Sequence, residues 1–458
     1  VLGLRAMGFQ GVDFLVPNRF DYGYGLTPEI VDLAAGKSPD LIITVDNGIS
    51  SVEGVARANK LGIEVIVTDH HLPGSQLPDA VAIVNPNQQG CDFPSKNLAG
   101  VGVAFYLLIA LRTELRQQQW FDQQQIAEPN LSQWLDLVAL GTVADVVPLD
   151  QVNRALVHQG LLRIRSGHSR PGIQALLRIA GKNPARLVAT DLGFALGPRL
   201  NAAGRLDDIS LGIQCLLCDD PQQALHTAQE LDELNQDRKS IETGMQQQAL
   251  AIVEQLGLED KSMPAALCLF QPDWHQGVVG LLASRIKEKY HRPVVAFARG
   301  DNGELKGSSR SIPGLHIRDA LDAVATQNPG LITKFGGHAM AAGLSLTEDK
   351  LAEFEQAFQQ QVAELISEDD LQARLVTDGS LDAHQLSMHT AELLRDAGPW
   401  GQQFPEPCFQ GDFHIVQQRI VGEKHLKLVL APQNQPEIAI DAIWFNIDTA
   451  RWPNHQAE

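Results

Sequence analysis

The chain has 458 residues, 44% hydrophobic and 20% charged, and a formal net charge of −19. That length exceeds one ordinary core and calls for two or three domains; so acidic a chain excludes a protein that coats nucleic acid through a uniformly cationic face, while leaving room for a local cationic groove with bound metal ions. Five cysteines in so long a chain exclude a disulfide framework and fit a reducing cytoplasm, and no apolar run approaches the roughly 20 residues of a membrane span.

Short apolar, β-rich runs occur at residues 12–16, 41–45 (LIITV), 64–68 (EVIVT) and 81–84, with helical stretches such as 51–61 between them. Runs of this kind, buried on both faces and separated by helices, predict a parallel sheet covered on both sides. Residues 98–115 and 131–147 turn helical. Residues 221–258 predict one long helix, its thin apolar stripe running from Ala224, Ala228 and Leu231 to Met245, Ala249 and Ile252. Such a helix reads as a connector between domains. A second α/β unit follows, with strands at 265–270 and 293–297, a helix at 277–289, a polar strand or loop at 304–311 and a Gly-rich then apolar stretch at 335–346. Beyond Leu371, strands at 409–421, 425–430 and 438–445 predict a small β domain. Cys215 and Cys218 lack a second pair and read as core cysteines on a helix.

The chemistry concentrates at strand ends. Asp46 follows LIITV directly and precedes Asn47-Gly48; Asp69-His70-His71 follows EVIVT in the same way. Ligand sites in open α/β sheets form at the carboxyl edge, and carboxylates with imidazoles suit Mn, Mg or related divalent ions. A helix cap and a turn would account for one such cluster; two in consecutive strand–helix units favour a metal site. Asp145 interrupts the apolar segment LGTVADVVPL, where a carboxylate is costly unless paired or metal-bound; a water-facing cap before Pro148 is the alternative. The stretch 197–205 (GPRLNAAGR) offers small residues and arginines suited to phosphate, or a structural loop. Lys306-Gly-Ser-Ser-Arg-Ser311, Gly336-Gly337-His338, and His275-Gln276 before a helix start are further anion-holding candidates in one domain.

TVDNG, VTDHH and the Asp145 segment resemble the second, third and fourth motifs of the DHH phosphoesterases. GPRLNAAGRL, DWHQGVVGLLASR, GSSRS and FGGHAMAAG resemble the RecJ-like exonucleases of that superfamily, with their DHHA1 domain. The likeness runs over nearly the whole chain. It implies an α/β fold: a parallel-sheet DHH domain (1–220), a long connecting helix (221–258), a smaller α/β DHHA1 domain (259–366) and an incomplete OB-like β-barrel (367–458). It implies a 5′→3′ exonuclease specific for single-stranded DNA, working in repair and recombination with two divalent ions, Mn or Mg. Asp46, His70 and Asp145 would then be metal ligands. His71 would act at the scissile phosphate or its leaving oxygen, and Asp69 would orient the histidines. Arg19 in VPNRF, with Ser308 and Arg310, would hold the terminal 5′ phosphate, and Arg205 and His338 would contact DNA. The implied partners are single-stranded DNA, a single-strand-binding protein and a RecQ-like helicase, with the enzyme acting as a cytoplasmic monomer away from membranes.

One departure stands out. The superfamily's first motif, D-x-D-x-D-G, is expected just before Val1 and is absent, so the chain as written is expected to bind metal poorly and be nearly inactive through truncation. Two other readings compete: a phosphodiesterase for short oligonucleotides or cyclic dinucleotides, disfavoured by the extra β domain and the interdomain helix, and a catalytically inactive DNA-binding scaffold, disfavoured by the joint presence of Asp46, His70, His71 and Asp145.

Overall fold

The computed structural model describes residues 1–16, 25–255, 263–300, 303–447, 449 and 452–453. Arg19 lies outside the described residues.

A short helix α1 (Leu2–Ala6) opens the chain. Residues 12–16, expected as a strand, form none; the Arg5 guanidinium instead holds the Val12 carbonyl at 2.6 Å. Strand propensity needs a pairing partner, and no described strand lies against this run. Helix α2 (Pro28–Ala35) begins where Pro28 fills the first turn and the Thr27 hydroxyl accepts from the Ile30 amide. Strands β1 (Leu41–Val45), β2 (Glu64–Thr68) and β3 (Ala82–Val84) make the expected parallel sheet, with β2 central and helix α3 (Val52–Lys60) crossing from β1 to β2. Val45 pairs with Thr68 and Thr68 with Val84, so the three carboxyl ends are level. Val65 and Val67 bury against Ile30, Val31, Val55 and Ala58.

The rest of the first domain is helical: α4 (Gly100–Gln117), α5 (Leu135–Ala144), α6 (Gln151–Arg165), α7 (Pro171–Ile179), a π-helix over Leu192–Leu196 running straight into α8 (Gly197–Leu206), and α9 (Ser210–Leu217). Residues 197–205 are thus helix, not loop. Their core gathers Val157, Leu161, Ile164, Ile173, Leu176 and Leu192. Cys215 is part of it, on α9, with burial pushing its thiol up to about 12.

Helix α10 (Pro221–Gln255) belongs to two cores. Ala224, Ala228 and Leu231 pack into the first domain, and Met245, Ala249 and Val253 into the second. Between them Asn235, Arg238 and Glu242 are buried. Arg238 meets Glu242 at 2.5 Å, and Arg285 of the next domain reaches the same carboxylate at 3.0 Å, so no charge in this stretch is buried alone.

The second domain holds a five-stranded sheet ordered β4-β5-β6-β8-β7, from β4 (Leu267–Phe270), β5 (Val294–Arg299), β6 (Glu304–Arg310), β7 (Lys334–Gly337) and β8 (Ala341–Thr347). Only β4 and β5 run parallel; the other pairs are antiparallel. Along β5, Val295 and Phe297 enter a core with α12 (Ile317–Gln327) and α13 (Leu351–Leu365). Val294, Ala296 and Ala298 enter the opposite core with α10 and α11 (Val279–Tyr290). Cover on both faces explains why that strand reads as an unbroken apolar run.

The third unit carries α14 (Met388–Ala397) and an antiparallel meander of β9 (Phe413–Val421), β10 (His425–Pro432) and β11 (Ile440–Trp444). Its link is docked on the first domain. The Arg154 guanidinium sits 3.8 Å over the Phe404 ring, which stacks on Trp400, and the Leu149 amide donates to the Gln402 carbonyl at 2.8 Å. No described helix is long and apolar enough to cross a membrane.

Candidate metal centre

Level strand ends put Asp46, Asp69 and Asn85 side by side, each the residue after its strand. Asp46 has φ +65°, a left-handed conformation that Asp tolerates better than most residues but that still costs energy. Its amide donates to the Thr68 carbonyl at 3.0 Å, extending the ladder one residue past β1. The start of α4 is pressed against this carboxylate: a Cβ on Gly100 would stand 2.3 Å from Asp46 Oδ1, so only glycine fits there.

Asp69 is 1% exposed and organises the histidines. Its Oδ1 accepts from the amides of His70 and His71 and from His71 Nδ1 at 2.7 Å, and Oδ2 accepts from the Ile49 amide. Burial works against its charge, but these donors win and hold its pKa below the ordinary carboxylate value. From the other side, Asn85 and Asn87 donate to the carbonyls of His71 and His70. The NPN stretch after β3 was the available signal for these two anchors, and sequence reasoning passed over it.

His70 Nε2 then faces Asp46 Oδ1 at 3.0 Å and Asp145 Oδ2 at 3.4 Å. Burial opposes protonation of His70, yet the contact with Asp46 and the charges of Asp145, Asp46 and Asp69 raise its pKa above the usual imidazole value. Asp145 ends α5, where the helix dipole disfavours a carboxylate. Burial and the Asp46 charge raise its pKa, against His70, His71 and a hydrogen bond from the Gly100 amide. The next residue, Val146, has φ +60°, a rare state for a β-branched residue. Two left-handed residues at two acidic strand and helix ends are the sort of strain that gathers at functional sites.

Asp46, His70 and His71 can each offer a ligand atom within 4.8 Å of the others, and Asp145 lies against His70. Hard carboxylates with borderline imidazoles fit Mn or Mg better than a thiolate-seeking metal. The donor set therefore fits a divalent cation, with Asp69 supporting from behind.

The second domain reaches this cluster through His338, in the turn after β7. Its ring stacks on His71 with centroids 5.8 Å apart. Burial and the charges of His71, Arg318, His70 and His316 lower its pKa. On β6, separated from β7 by β8, the Arg310 guanidinium donates to Ser308 Oγ at 3.1 Å and to the Ser309 carbonyl at 2.7 Å, its only side-chain hydrogen bonds among the described residues. Burial lowers its pKa, and no carboxylate among the described residues pairs with it. A Cβ on Gly280 would meet Ser308 Oγ at 2.9 Å and Arg310 Nη2 at 3.0 Å, which places both against the first turn of α11, at the positive end of the helix dipole. Arg205, at the end of α8, donates to the Gly277 carbonyl at 3.2 Å and so bridges the domains.

A parallel sheet with acidic and imidazole ligands at its carboxyl edge, joined to a mixed-sheet domain that brings a histidine to it, is the architecture of a DHH-type phosphoesterase. Three family models match: the DHH family N-terminal domain over residues 1–142, the DHHA1 domain over 261–364 and the RecJ OB domain over 377–457. The single-stranded-DNA-specific exonuclease RecJ of Salmonella typhimurium is 60% identical over 455 residues, 99% of this chain and 79% of that protein. The Escherichia coli enzyme of the same name is 59% identical with the same coverage. The crystal structure of Thermus thermophilus RecJ in complex with Mn2+ superposes with a TM-score of 0.77 at 31% identity, covering 96% of this chain and 60% of that one. The chain belongs to the RecJ family.

Proposed function

We propose that this protein is a 5′→3′ exonuclease specific for single-stranded DNA, hydrolysing phosphodiester bonds with two divalent ions, Mn or Mg. The observation that carries this reading is the convergence of Asp46, His70, His71 and Asp145, with His338 of the second domain stacked on His71. Supporting it are relatives named single-stranded-DNA-specific exonucleases and a related structure in complex with Mn2+. The units are divided at 1–220, 221–258, 259–366 and 367–458, the last being the OB-like strand-binding unit.

In this reading Asp46, His70 and Asp145 hold the ions. When bound, the ions polarise the phosphoryl oxygens and provide a water nucleophile at neutral pH. Asp69 keeps the His71 Nδ1 proton in place, and that hydrogen bond raises the His71 pKa despite burial. The raised pKa favours the protonated form of His71, which suits it to donate a proton to a phosphate or leaving oxygen. Ser308, Arg310 and the first turn of α11 hold a terminal 5′ phosphate, and Arg19 is assigned to the same phosphate. Holding the terminal phosphate in a fixed place relative to the metal ligands would select the bond that is cut. Arg205 and His338 contact the strand across the cleft. The protein acts as a cytoplasmic monomer in repair and recombination, with a single-strand-binding protein and a RecQ-like helicase as partners.

The test is digestion of end-labelled single-stranded and duplex DNA by the full-length protein with Mn2+. Release of mononucleotides from the 5′ end of single strands only, abolished by Asp46→Ala, is expected. Equal attack on dinucleotides and long strands points instead to a short-oligonucleotide phosphodiesterase, and tight binding without cleavage to a scaffold.

A further inference from the structure

The π-helix and α8 form one continuous rod. One side is buried through Leu192, Ala195, Leu196, Ala202 and Ala203. Positions 194, 198, 201 and 205 follow at helical spacing on the open side, where Asn201 is exposed and Pro198 and Arg205 are half-buried. Phe194 is 82% exposed.

Both ends of that open face are anchored. A Cβ on Gly193 would stand 3.2 Å from Val143 Cγ1, and one on Gly197 3.9 Å from Ala144 Cβ. The rod therefore starts against the last turn of α5, just before Asp145. At the far end Arg205 bonds Gly277 of the second domain. From Phe194 to Arg205 the face covers about 16 Å at the helical rise, leading from beside the end of α5 to the second domain. Val146, directly after Asp145, adds a second apolar surface that is 64% exposed. Single exposed apolar residues are ordinary. An aromatic left in water on a π-turn is less so, because π-turns cost hydrogen-bond geometry and recur at functional positions.

We propose that Phe194 is a stacking platform for a base of the DNA strand beside the phosphate at the metal centre, with the same helical face continuing to Arg205. Every base offers a π-face, so this contact grips the strand without reading its sequence. The proposal rests on the exonuclease reading above. It makes Phe194 a positioning residue that keeps the strand in line between cuts.

The experiment is fluorescence anisotropy with the full-length protein and a labelled, 5′-phosphorylated oligothymidylate, with Ca2+ replacing Mn2+ to suppress cleavage. A parallel oligonucleotide carries abasic residues in its first three positions. The expected result is an approximately tenfold rise in Kd for Phe194→Ala on the intact strand. On the abasic strand, wild type and Phe194→Ala should bind alike, and Phe194→Trp should restore intact-strand binding. An unchanged Kd for Phe194→Ala on the intact strand overturns the proposal. So does an equal loss on both strands, which indicates a structural effect. If wild type binds neither strand, the exonuclease reading itself falls, a result separable from the other two.

Discussion

His338 of the second domain stacks on His71 of the first, with ring planes 17° from parallel and centroids 5.8 Å apart. The two rings are tuned in opposite directions. The hydrogen bond to Asp69, working against burial, raises the pKa of His71; burial and nearby cations, His71 among them, lower that of His338. The stacked pair is thus biased toward protonation on His71 rather than on His338. His338→Ala is expected to leave Mn2+ affinity unchanged and to slow single-turnover cleavage on the order of 10²-fold, the scale of a misplaced reacting group. Calorimetric Mn2+ titration beside quenched-flow cleavage separates the two effects.

Asp69 is assigned no metal contact itself, yet it fixes His70 and His71 through their two amides and one ring nitrogen, while the Ile49 amide holds Asp69 in place. Asp69→Asn keeps the shape but loses the charge and part of the acceptor capacity. Mn2+ affinity should fall about 10- to 100-fold, the usual cost of disturbing support behind a ligand. The melting temperature of the metal-free protein should also fall. A variant that binds Mn2+ as tightly as wild type would refute this role.

Arg310 should decide the state of the 5′ end. A planar guanidinium grips phosphate in two places where an ammonium cannot. Arg310→Lys is therefore expected to erase most of the preference for 5′-phosphorylated over 5′-hydroxyl strands, and Ser308→Ala to erase part of it. Competition between the two labelled strands in one tube gives the ratio directly. A preference that survives Arg310→Lys places the phosphate elsewhere.

The pH dependence follows from the histidines. The folded-state pKa values of His70 and His71 both lie above 6.5. In the metal-free protein their stabilising contribution is fully present below pH 6.5 and is lost as pH rises through the folded values. Mn2+ needs the same His70 nitrogen without its proton, so its binding strengthens across that window. Thermal melts from pH 6 to 8.5, with and without Mn2+, should show a metal-induced rise in Tm that grows with pH. A rise that is constant with pH rules out competition between proton and metal at His70.

Asp46 and the Asp69-His70-His71 run were legible because both follow short apolar strands directly, and strand ends are local features. The long helix was legible from its stripe, although nothing in its spacing showed that the two halves of the stripe serve different cores. Gly100 was not legible, since its need to be glycine arises only when α4 meets Asp46. Nor was the contact between His71 and His338, which depends on how two domains close. The expected strand at 12–16 failed because a strand is defined by its neighbour. Phe194 was hidden because LGFAL reads as core in a 3.6-residue pattern, and the π-turn breaks that pattern where the ring turns outward.

Helix α10 has no slack at either end. Its first turns are core material for one domain and its last turns for the other. The domain with the candidate metal centre and the second domain are therefore set apart by a rigid gauge rather than a tether, and neither can melt without removing part of the other's interior. Heating should dissolve both together, and a protease should find no point along 221–255 at which a cut would release two working halves.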